Sequence, residues 1–372
     1  MFSVLLAIPS LGGGGAERQV SYLAPGLTRR GLRLHVAYIH EGAHAARLGG
    51  SGVSMTRLAA RSNYDPALLW GFLHLVKRID PDIVHTWLPQ MDIIAGAVAL
   101  ATGRAFVLSE RSSAGAYGSG WKDRLRLALG RRADAIVANS RAGCGYWAQN
   151  RSSNVCAVIR NAVPRDEVAE AAPVSNDSLG LWPDAEIMVF AGRYSYEKNL
   201  PNLLHAMNLA LRARPRAAAL LFGDGPLRAN MQALARDLPA ADRIQVRGFN
   251  PHLWGILKRA HVFVSASTFE GQPNTVLEAV AAGCPVVLSD IPAHREFLDD
   301  AGAFYADPGE PEALAAALTK ALEDRALAMR KSEQAMRVLE HCSLNHVTEE
   351  YLQLYENVLS KRDTRRRERR PA

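Results

Sequence analysis

The sequence lacks the long apolar run that a membrane-spanning helix needs. None of its stretches reaches the roughly 18 to 20 consecutive apolar residues that such a helix requires. The apolar start, residues 2–8, is short and no positive charge precedes it, which is typical of a buried first strand and not of a signal peptide. These absences argue against an integral membrane or exported protein, and we expect a cytoplasmic location.

Cysteine is scarce and is not spaced for metal binding. No two of the four cysteines form a C-x-x-C pair. This spacing argues against a structural zinc site and against a disulfide framework. We expect all four to be reduced packing residues: Cys144, Cys156, Cys284 and Cys342.

The chain also lacks a basic groove with interleaved aromatic residues, which argues against nucleic-acid binding. Of the formal net charge of +7, residues 361–370 supply +5, because they hold seven Lys or Arg against two Asp or Glu. A short basic end of this kind is typical of a solvated, disordered tail, which we predict over residues 361–372. The alternative is attraction to an anionic membrane surface, at roughly 1 kcal/mol per Lys or Arg.

Short β-branched runs alternate with longer amphipathic stretches along most of the chain. The alternation predicts parallel sheets covered by helices on both faces, in two successive α/β domains. We predict one domain over residues 1–165, a proline-containing linker over 166–184 and a second domain over 185–342. The predicted strands are residues 4–8, 34–39, 83–85, 106–109, 135–138, 155–159, 187–191, 219–222, 244–246, 262–265 and 285–288.

The motifs that could carry chemistry mostly follow a predicted strand. In open α/β sheets, ligands bind outside the carboxyl ends of the strands, so we expect one shared site. The first motif, residues 11–18, is a glycine-rich turn that opens a helix, where an anion is favoured. It fails the G-x-G-x-x-G spacing of a dinucleotide fingerprint, and a plain tight turn is its other interpretation.

Two features surround the third predicted strand. Asp80-Pro81-Asp82 matches a D-x-D metal motif but precedes the strand, so we interpret it as a turn and expect no required metal. His85 ends the predicted strand on the ligand side. A structural role and a binding or catalytic role are both open for it.

In the second domain, Arg193 and Lys198 follow a strand and enter a helix. The planar fork of an arginine and the compact charge of a lysine together suit a diphosphate. Such groups stabilise negative charge that grows as a leaving group departs. The alternative is a set of surface ion pairs with Glu197.

The strongest motif is residues 265–279, which contains Glu270 and Glu278. Pro273 and Asn274 suit the start of a helix, so Glu270 lies in the loop before the helix and Glu278 about one turn into it. Free backbone N–H groups at a helix start can hold phosphate oxygens. Both carboxylates could therefore accept hydrogen bonds from one ligand, unless they are simply solvated charges.

The E-x7-E element formed by Glu270 and Glu278 resembles that of glycosyltransferase family 4. Further matching motifs occur in the same order over about 300 residues: 14–17, 82–85, 139–140, 158–163, 192–199, 223–226 and 282–287. The resemblance implies an α/β GT-B fold, in which two Rossmann-like domains face each other across a donor and acceptor cleft. It also implies a C-terminal helix, residues 343–360, that crosses back to the first domain.

The resemblance further implies roles for individual residues. Glu270 should contact the donor sugar, Glu278 the ribose, and Arg193 and Lys198 the diphosphate of a nucleotide-sugar co-substrate, with His85 as a fourth candidate catalytic residue. The remaining donor-binding candidates are Gly14 and Gly15 beside the phosphates, Gly248 and Phe249 beside the base, and Gly271, Asn274 and Thr275 at the helix start.

Two positions depart from the family pattern. Trp87 stands where many relatives carry a second histidine, and Ala162 stands where a glycine usually follows the asparagine. Family members retain anomeric configuration, so we expect retention here. Displacement from the front face and a covalent intermediate are both open; the motifs supply no obvious nucleophile, which favours the former. No metal cofactor is expected.

Residues 117–132 form a basic amphipathic stretch with Trp121 near its start. It could lie on an anionic membrane surface or be an ordinary half-buried helix. With the basic tail, it favours a lipid-linked glycan acceptor at the inner membrane. The expected donor is a UDP-hexose or UDP-N-acetylhexosamine, with GDP-mannose open. Two rival functions are a nucleotide-sugar epimerase or hydrolase and a degenerate nucleotide- or membrane-binding module.

Overall fold

The computed structural model describes residues 2–62, 65–150 and 156–368. The chain forms two compact units. Residues 1–162 and 342–372 make up the first unit, and residues 163–341 make up the second. Each unit is an α/β domain built on one sheet.

The first unit contains a seven-stranded parallel sheet in the order β3-β2-β1-β4-β5-β6-β7. Its central strands are buried along their whole length, which suits a sheet with helices on both faces. The elements are β1 Ser3–Ala7, α1 Gly15–Arg29, β2 Arg33–Tyr38, α2 Ala45–Gly49, β3 Ser54–Arg57, α3 Ala67–Ile79, β4 Ile83–Trp87, α4 Pro89–Ala101, β5 Ala105–Glu110, α5 Trp121–Gly130, β6 Ala135–Ala138, α6 Arg141–Asn150 and β7 Cys156–Val158.

The second unit contains a six-stranded parallel sheet in the order β10-β9-β8-β11-β12-β13. Both sheets therefore contain the Rossmann order, in which the sequence of strands along the sheet reverses between β1 and β4 and between β8 and β11. The elements are α7 Arg165–Glu170, β8 Glu186–Ala191, α8 Leu200–Ala213, β9 Ala217–Phe222, α9 Arg228–Asp237, β10 Ile244–Arg247, α10 Leu253–Arg259, β11 Val262–Ser265, α11 Asn274–Ala281, β12 Val286–Ser289, α12 Pro292–Phe297, β13 Phe304–Ala306, α13 Pro311–Glu323 and α14 Arg325–Arg337.

The last helix, α15 Leu344–Glu368, packs in the first unit, as expected for a C-terminal helix that returns there. Val347, Tyr351, Tyr355 and Val358 lie in one apolar cluster with residues of α1. The helix continues to Glu368, so the prediction of a disordered tail is wrong for residues 361–368. The rest of that predicted tail, residues 369–372, lies outside the described residues.

The predicted linker, residues 166–184, is not a free connector in the structure. It belongs to the second unit and includes most of α7. The backbone N–H of Val174 donates to the carbonyl oxygen of Gly255, and Lys258 Nζ donates to the carbonyls of Ala169 and Ala171 at 2.6 and 2.7 Å. The prolines and small polar residues of this segment therefore mark turns packed on the domain.

The prediction of four reduced cysteines is wrong for one pair. Cys144 on α6 and Cys156 on β7 form a disulfide, with their Cα atoms 5.6 Å apart. The two residues meet because α6 leads back to β7 within one helix-to-strand connection, which the absence of a C-x-x-C motif could not reveal. Cys284 and Cys342 are buried thiols outside this disulfide, as expected.

Within the described ranges, no helix combines the length and the apolar character needed to cross a membrane.

Candidate functional site

The loops after β8, β9 and β10 are held together by backbone hydrogen bonds at the carboxyl edge of the second sheet. Gly192 N–H donates to the Phe222 carbonyl at 3.0 Å, and Tyr194 N–H donates to the Asp224 carbonyl at 2.9 Å. Gly223 N–H donates to the Gly248 carbonyl at 3.2 Å. Three motifs that are separate in the sequence therefore form one continuous surface.

The glycines of the loop after β9 make this close approach possible. Gly223 has φ +149° and Gly225 has φ +153°, a region that other residues rarely adopt. A Cβ atom at Gly223 would overlap the carbonyl oxygen of Gly192, and one at Gly225 would crowd Tyr194. Glycine is needed at both positions because the loop that carries Arg193 passes directly against them.

The loop after β8 also contacts the loop after β11, its neighbour in the sheet. Thr268 N–H donates to the Glu197 carbonyl at 2.9 Å, and Lys198 Nζ forms an ion pair with Glu270 Oε1. Ser267 Oγ donates to the same carboxylate oxygen at 2.8 Å. The structure thus brings together two of the residues expected in the donor site, at the point where the strand order reverses.

The environment of Glu270 favours its ionised form. Burial alone would raise the pKa of this carboxyl, but the Lys198 ammonium and the hydrogen bonds from Lys198 and Ser267 hold the pKa below its usual value. An ionised carboxylate only accepts hydrogen bonds. Glu270 is therefore suited to bind hydroxyl groups and not to act as a proton donor.

Arg193 differs from Lys198 in its surroundings. Its side chain is exposed, and in the described part of the chain its guanidinium has neither a hydrogen bond nor an ion pair. Tyr196, three residues further on, is 82% exposed. The alternative of an ion pair between Arg193 and Glu197 is not seen: Glu197 accepts a hydrogen bond from Ser195 Oγ. Arg193 is accordingly open to an anionic ligand.

The helix α11 begins at Asn274, after Pro273, as the sequence predicts. Gly271 and Glu278 are buried, whereas Asn274 and Thr275 are half-buried at the helix start. Glu278 lies in the helix and not in solvent, which excludes the interpretation of two freely solvated glutamates. Its contact with a ribose stays a prediction.

Gly248 and Phe249, the candidates beside the base, follow β10 at the outer end of the bonded loops. A Cβ atom at Gly248 would lie 3.2 Å from the Arg228 guanidinium of α9, and Phe249 is 54% exposed. An exposed aromatic ring on this edge is available for stacking.

Sequence reasoning missed one site neighbour, His294. It has no exposed surface and lies on α12, which follows β12, the next strand in the sheet. Ser289, the last residue of β12, donates its hydroxyl hydrogen to the Ser267 carbonyl at 2.6 Å. This hydrogen bond connects the end of β12 to the loop that carries Glu270. His294 comes shortly after the predicted strand 285–288, but a lone histidine belongs to no motif and so gave no signal of its own.

In the first unit, Gly14 caps α1 and Gly15 begins it, at the carboxyl end of β1. Ser10 Oγ donates to Glu17 Oε1 at 2.7 Å, and the Glu17 carboxylate lies against Gly14. A negative charge therefore already lies at this helix start. The contact of these glycines with phosphates stays a prediction.

The Asn161–Ala162 motif also lies beside α1. The Gln19 amide donates to the Ala162 carbonyl at 2.8 Å and accepts from the Ala162 N–H at 2.7 Å. Asn161 accepts a hydrogen bond from the Arg111 guanidinium. The motif is thus fixed against α1 through Gln19.

His85 lies in the interior of the first unit. The prediction that it ends β4 is wrong, because Thr86 and Trp87 continue the strand and pair with β5. The two ring nitrogens are 2.7 Å from Tyr355 Oη and 2.8 Å from Ser109 Oγ. Burial, with a smaller effect of Arg111, lowers the pKa of His85 to about 3. This geometry favours the structural interpretation, and a catalytic role stays a prediction.

Trp87, in the place of a second histidine, is buried beside His85. The Arg111 guanidinium lies 4.6 Å from the centre of its ring system, and Tyr351 stacks at 6.3 Å. At the other end of β4, Asp82 accepts hydrogen bonds from the backbone and hydroxyl of Ser3, and Asp80 pairs with Arg104. This agrees with the interpretation of Asp80-Pro81-Asp82 as a turn.

The predicted basic stretch at residues 117–132 is only partly a surface. Arg126 is buried and binds Asp92 at 2.7 Å and Glu110 at 2.9 Å, so its charge cannot attract a membrane. Burial raises the pKa of Asp92 to about 6 despite the nearby Arg126. Trp121 and Leu125 are 68% and 39% exposed. The half-buried interpretation therefore fits α5, while membrane contact stays a prediction.

No cluster of three or more His, Cys, Asp or Glu side chains that could hold a metal ion occurs among residues 2–62, 65–150 and 156–368. Whether activity needs a metal stays a question for experiment.

Comparison with known proteins gives the family. The family described as "Glycosyltransferase Family 4" matches residues 13–167, and that described as "Glycosyl transferases group 1" matches residues 175–338. The chain belongs to glycosyltransferase family 4. Each of the two units thus carries one of the family's two domains, and the chain is a glycosyltransferase by family.

Two similar relatives in Rhizobium meliloti (strain 1021) are lipopolysaccharide core biosynthesis glycosyltransferases. LpsE is 28% identical over 347 residues, covering 92% of this chain and 95% of the relative. LpsD is 26% identical over 353 residues, covering 94% and 97%. Family membership therefore extends over nearly the whole chain.

Solved structures share the GT-B fold. Anabaena Alr3699/HepE in complex with UDP-glucose has a TM-score of 0.85 at 18% identity and covers 97% of this chain and 100% of that protein. Sucrose-phosphate synthase from Thermosynechococcus elongatus has a TM-score of 0.81 at 18% identity, with the same coverage. At these identities the likeness concerns the fold alone.

Proposed function

We propose that this family 4 enzyme transfers a hexosyl or N-acetylhexosaminyl group from a UDP-sugar to a glycan acceptor, with retention of configuration, in cell-surface polysaccharide biosynthesis. The observation that carries the proposal is the Lys198–Glu270 ion pair beside the exposed Arg193. Two cations and one ionised acceptor lie on one edge of the second sheet. That set matches the chemistry of a sugar diphosphate.

Each of these groups has a distinct task. Arg193 and Lys198 offset the charge of the diphosphate, which grows as the sugar leaves. Glu270 accepts hydrogen bonds from hydroxyls of the transferred sugar, because its low pKa keeps it ionised. The paired Lys198 fixes the Glu270 side chain before the donor arrives, which lowers the cost of ordering it on binding.

We further propose displacement from the front face. The bond between the anomeric carbon and the diphosphate oxygen breaks, and the acceptor oxygen bonds to that carbon on the same face. The acceptor hydroxyl gives its proton to the departing phosphate oxygen. The Lys198 ion pair supports this route, because a carboxylate held by an ammonium is a weakened nucleophile.

Relatives support the donor and pathway. The two lipopolysaccharide core enzymes and the neighbour with bound UDP-glucose favour a UDP-sugar and polysaccharide assembly. A lipid-linked acceptor is supported by a Campylobacter jejuni transferase named for a diphospho-undecaprenol acceptor, 26% identical over 161 residues, 43% of this chain and 42% of that protein. The exposed Trp121 and Leu125 would then lie near the membrane face.

The donor is tested by thermal unfolding with UDP-glucose, UDP-galactose, UDP-N-acetylglucosamine and GDP-mannose, because a specific ligand raises the unfolding temperature. We expect a UDP-sugar, and not GDP-mannose, to raise the unfolding temperature. We also expect the enzyme to transfer the sugar of an α-linked donor to a lipid-linked glycan and to form an α-linkage. Release of a free epimerised sugar without an acceptor would instead indicate an epimerase or hydrolase.

Glu270→Gln tests the site. We expect kcat/KM to fall roughly 100-fold, the order seen when one stabilising group is removed from an active site. The matched control is Glu186→Gln, which removes another ion-paired glutamate at the opposite end of β8. Equal activity of both variants would disprove the assignment of Glu270. A glycosyl adduct on a carboxylate, trapped with a fluorinated donor, would disprove front-face displacement.

Membrane contact is tested by sedimentation with anionic vesicles. We expect binding that weakens in Trp121→Ala, because this exposed aromatic ring is replaced by a small side chain. Absence of binding by the unaltered protein, with equal activity on soluble acceptors, would contradict the proposed membrane-bound acceptor.

A further inference from the structure

His294 is a fully buried histidine on α12, and the charges of Glu270 and Lys198 both act on the pKa of its ring. Its Nδ1 is 2.8 Å from the Ser289 carbonyl oxygen and 3.2 Å from the Ser289 hydroxyl. Because a carbonyl oxygen can only accept a hydrogen bond, the ring proton lies on Nδ1. Burial lowers the pKa of His294, so the ring is neutral and its Nε2 carries a lone pair.

That Nε2 atom is buried and has no hydrogen-bond partner in the described part of the chain. Polar atoms in protein interiors are nearly always paired, so an orphaned acceptor in a binding site points to a ligand donor. Its position follows the general rule for this fold, since α12 comes directly after a strand at the carboxyl edge of the sheet.

Two serines join His294 to the donor site. Ser289, which binds Nδ1 through its carbonyl, donates its hydroxyl to the Ser267 carbonyl at 2.6 Å. Ser267 in turn donates to Glu270 at 2.8 Å. His294 and Glu270 are therefore held by the same pair of hydrogen-bonded residues, and both present acceptors.

We propose that His294 is a specificity-determining residue of the donor site, whose Nε2 accepts a hydrogen bond from one hydroxyl of the transferred sugar. The inference rests on the proposed function. A lone-pair acceptor cannot bind phosphate oxygens, which are themselves acceptors, so His294 recognises the sugar and not the diphosphate. A site built to pair one hydroxyl strongly disfavours the analogue that lacks it.

The first test compares His294→Asn with the unaltered protein by calorimetric titration. Asparagine keeps a donor for the Ser289 carbonyl but has no atom at the place of Nε2. We expect the affinity for the preferred nucleotide sugar, among UDP-glucose, UDP-galactose, UDP-N-acetylglucosamine and GDP-mannose, to fall by about tenfold or more. The affinity for the matching UDP or GDP should stay within about twofold. His294→Gln, whose longer amide reaches toward the Nε2 position, should recover part of the loss.

The second test removes the sugar hydroxyls one at a time. Donors deoxygenated at each ring position are titrated against both proteins, which forms a double-mutant cycle. One deoxy donor should bind the unaltered protein about tenfold more weakly, yet bind His294→Asn as well as the parent sugar does.

The outcomes separate the two proposals. If the unaltered protein binds none of the nucleotide sugars, the proposed function fails and this inference fails with it. If it binds one, and His294→Asn binds that sugar equally well or loses UDP or GDP affinity to the same extent, the role of His294 alone is disproved. Retained UDP or GDP binding also shows that the variant is folded.

Discussion

Single side chains in this protein owe their charge states to their surroundings. Glu270 is held ionised by Lys198, whereas His85 is held neutral because it has no access to solvent and both ring nitrogens have partners. Two residues that looked alike as candidate catalytic groups therefore have different chemical properties. Only the first is on the sheet edge where the other motifs meet.

The low pKa of His85 predicts a pH dependence of stability. In the unfolded chain the ring binds a proton below its ordinary pKa of 6.5, whereas in the folded chain it does so only near the pKa of about 3. The stability contribution is thus complete above pH 6.5 and is lost as the pH falls toward 3, at roughly 1.4 kcal/mol per pH unit. Urea unfolding at pH 7, 6, 5 and 4 measures it.

His85→Asn, which cannot titrate, supplies the comparison. The variant is less stable at neutral pH, because Tyr355 or Ser109 loses a partner, but its decline with falling pH should be shallower than that of the unaltered protein. Parallel pH profiles would show that other groups, such as the half-buried His35 and His44, govern the acid response.

At the scale of single residues, the sequence predicts which residues belong to the candidate site better than it predicts their burial and contacts. Arg193, Lys198 and Glu270 could be assigned because each follows a strand and belongs to a motif. The burial of His85 could not be predicted, because it depends on Tyr355, which lies 270 residues away in the chain. His294 was missed for the related reason that a lone histidine carries no spacing signal.

At the scale of elements, the strand-to-helix turns form the site. The loops after β8, β9 and β10 are bonded to each other through backbone groups, so a change in one of them should alter the next. Positive φ angles at Gly223 and Gly225 are the conformational requirement for this contact.

Gly223→Ala should disrupt these turns. A Cβ atom there would overlap the Gly192 carbonyl, so the loop that carries Arg193 must move. We expect a loss of about 2–4 kcal/mol in the free energy of unfolding, with weaker donor binding. Gly283→Ala is the matched control: it also has positive φ but no atom within 4 Å of the new Cβ, and should cost only about 1 kcal/mol. Equal losses would show that overlap with Gly192 is unimportant.

The disulfide gives a second prediction at this scale. Linking Cys144 to Cys156 closes a short loop and restricts the unfolded chain, which is worth up to about 3 kcal/mol. Dithiothreitol should therefore lower the unfolding temperature of the protein. The Cys144→Ser, Cys156→Ser double variant should unfold at that lower temperature and show no response to the reductant. An unaltered protein that is equally insensitive would indicate reduced cysteines.

Most strands were predictable from pattern, with three informative exceptions. The edge strands β3 and β13 were missed, because β3 is exposed or half-buried along its length and β13 has only three residues. Strand β4 was predicted too short, since Thr86 and Trp87 do not look like a continuation of an apolar run. Pairing with a neighbouring strand, and not local pattern, determines these boundaries.

At the scale of the whole molecule, the two domains share one strand order, and the Lys198–Glu270 pair of the second domain lies where that order reverses. The sequence predicts this arrangement because the alternation of strands and helices occurs twice. The sequence predicts the boundary between the two domains less well than it predicts their strand order. Residues 166–184 resemble a linker in composition but pack on the second unit.

Truncation after Ser343 tests the dependence of the first unit on α15. Full burial of a large apolar side chain is worth about 1.5–3 kcal/mol, so losing Val347, Tyr351, Tyr355 and Val358 removes on the order of 6–12 kcal/mol. This is comparable to the total stability of a domain, about 5–15 kcal/mol. We expect hydrogen exchange to become fast throughout residues 3–162 and to stay slow in the sheet of the second unit.

A shorter truncation after Thr364 is the control for that experiment. It removes only the end of α15 beyond its buried residues, and the exchange of both units should match that of the full chain. Slow exchange of residues 3–162 after removal of the whole helix would show that the first sheet is stable without this cover.

The position of α15 also has a consequence for biosynthesis. The ribosome makes the first sheet, then all of residues 163–341, and only afterwards the helix that covers α1. At roughly 5–20 residues per second, this interval lasts about 10–40 s. During that time the second domain can complete its fold while the nascent first domain exposes an apolar surface. The first domain to be translated is therefore the last to mature, and it is the part of the enzyme that most needs a chaperone.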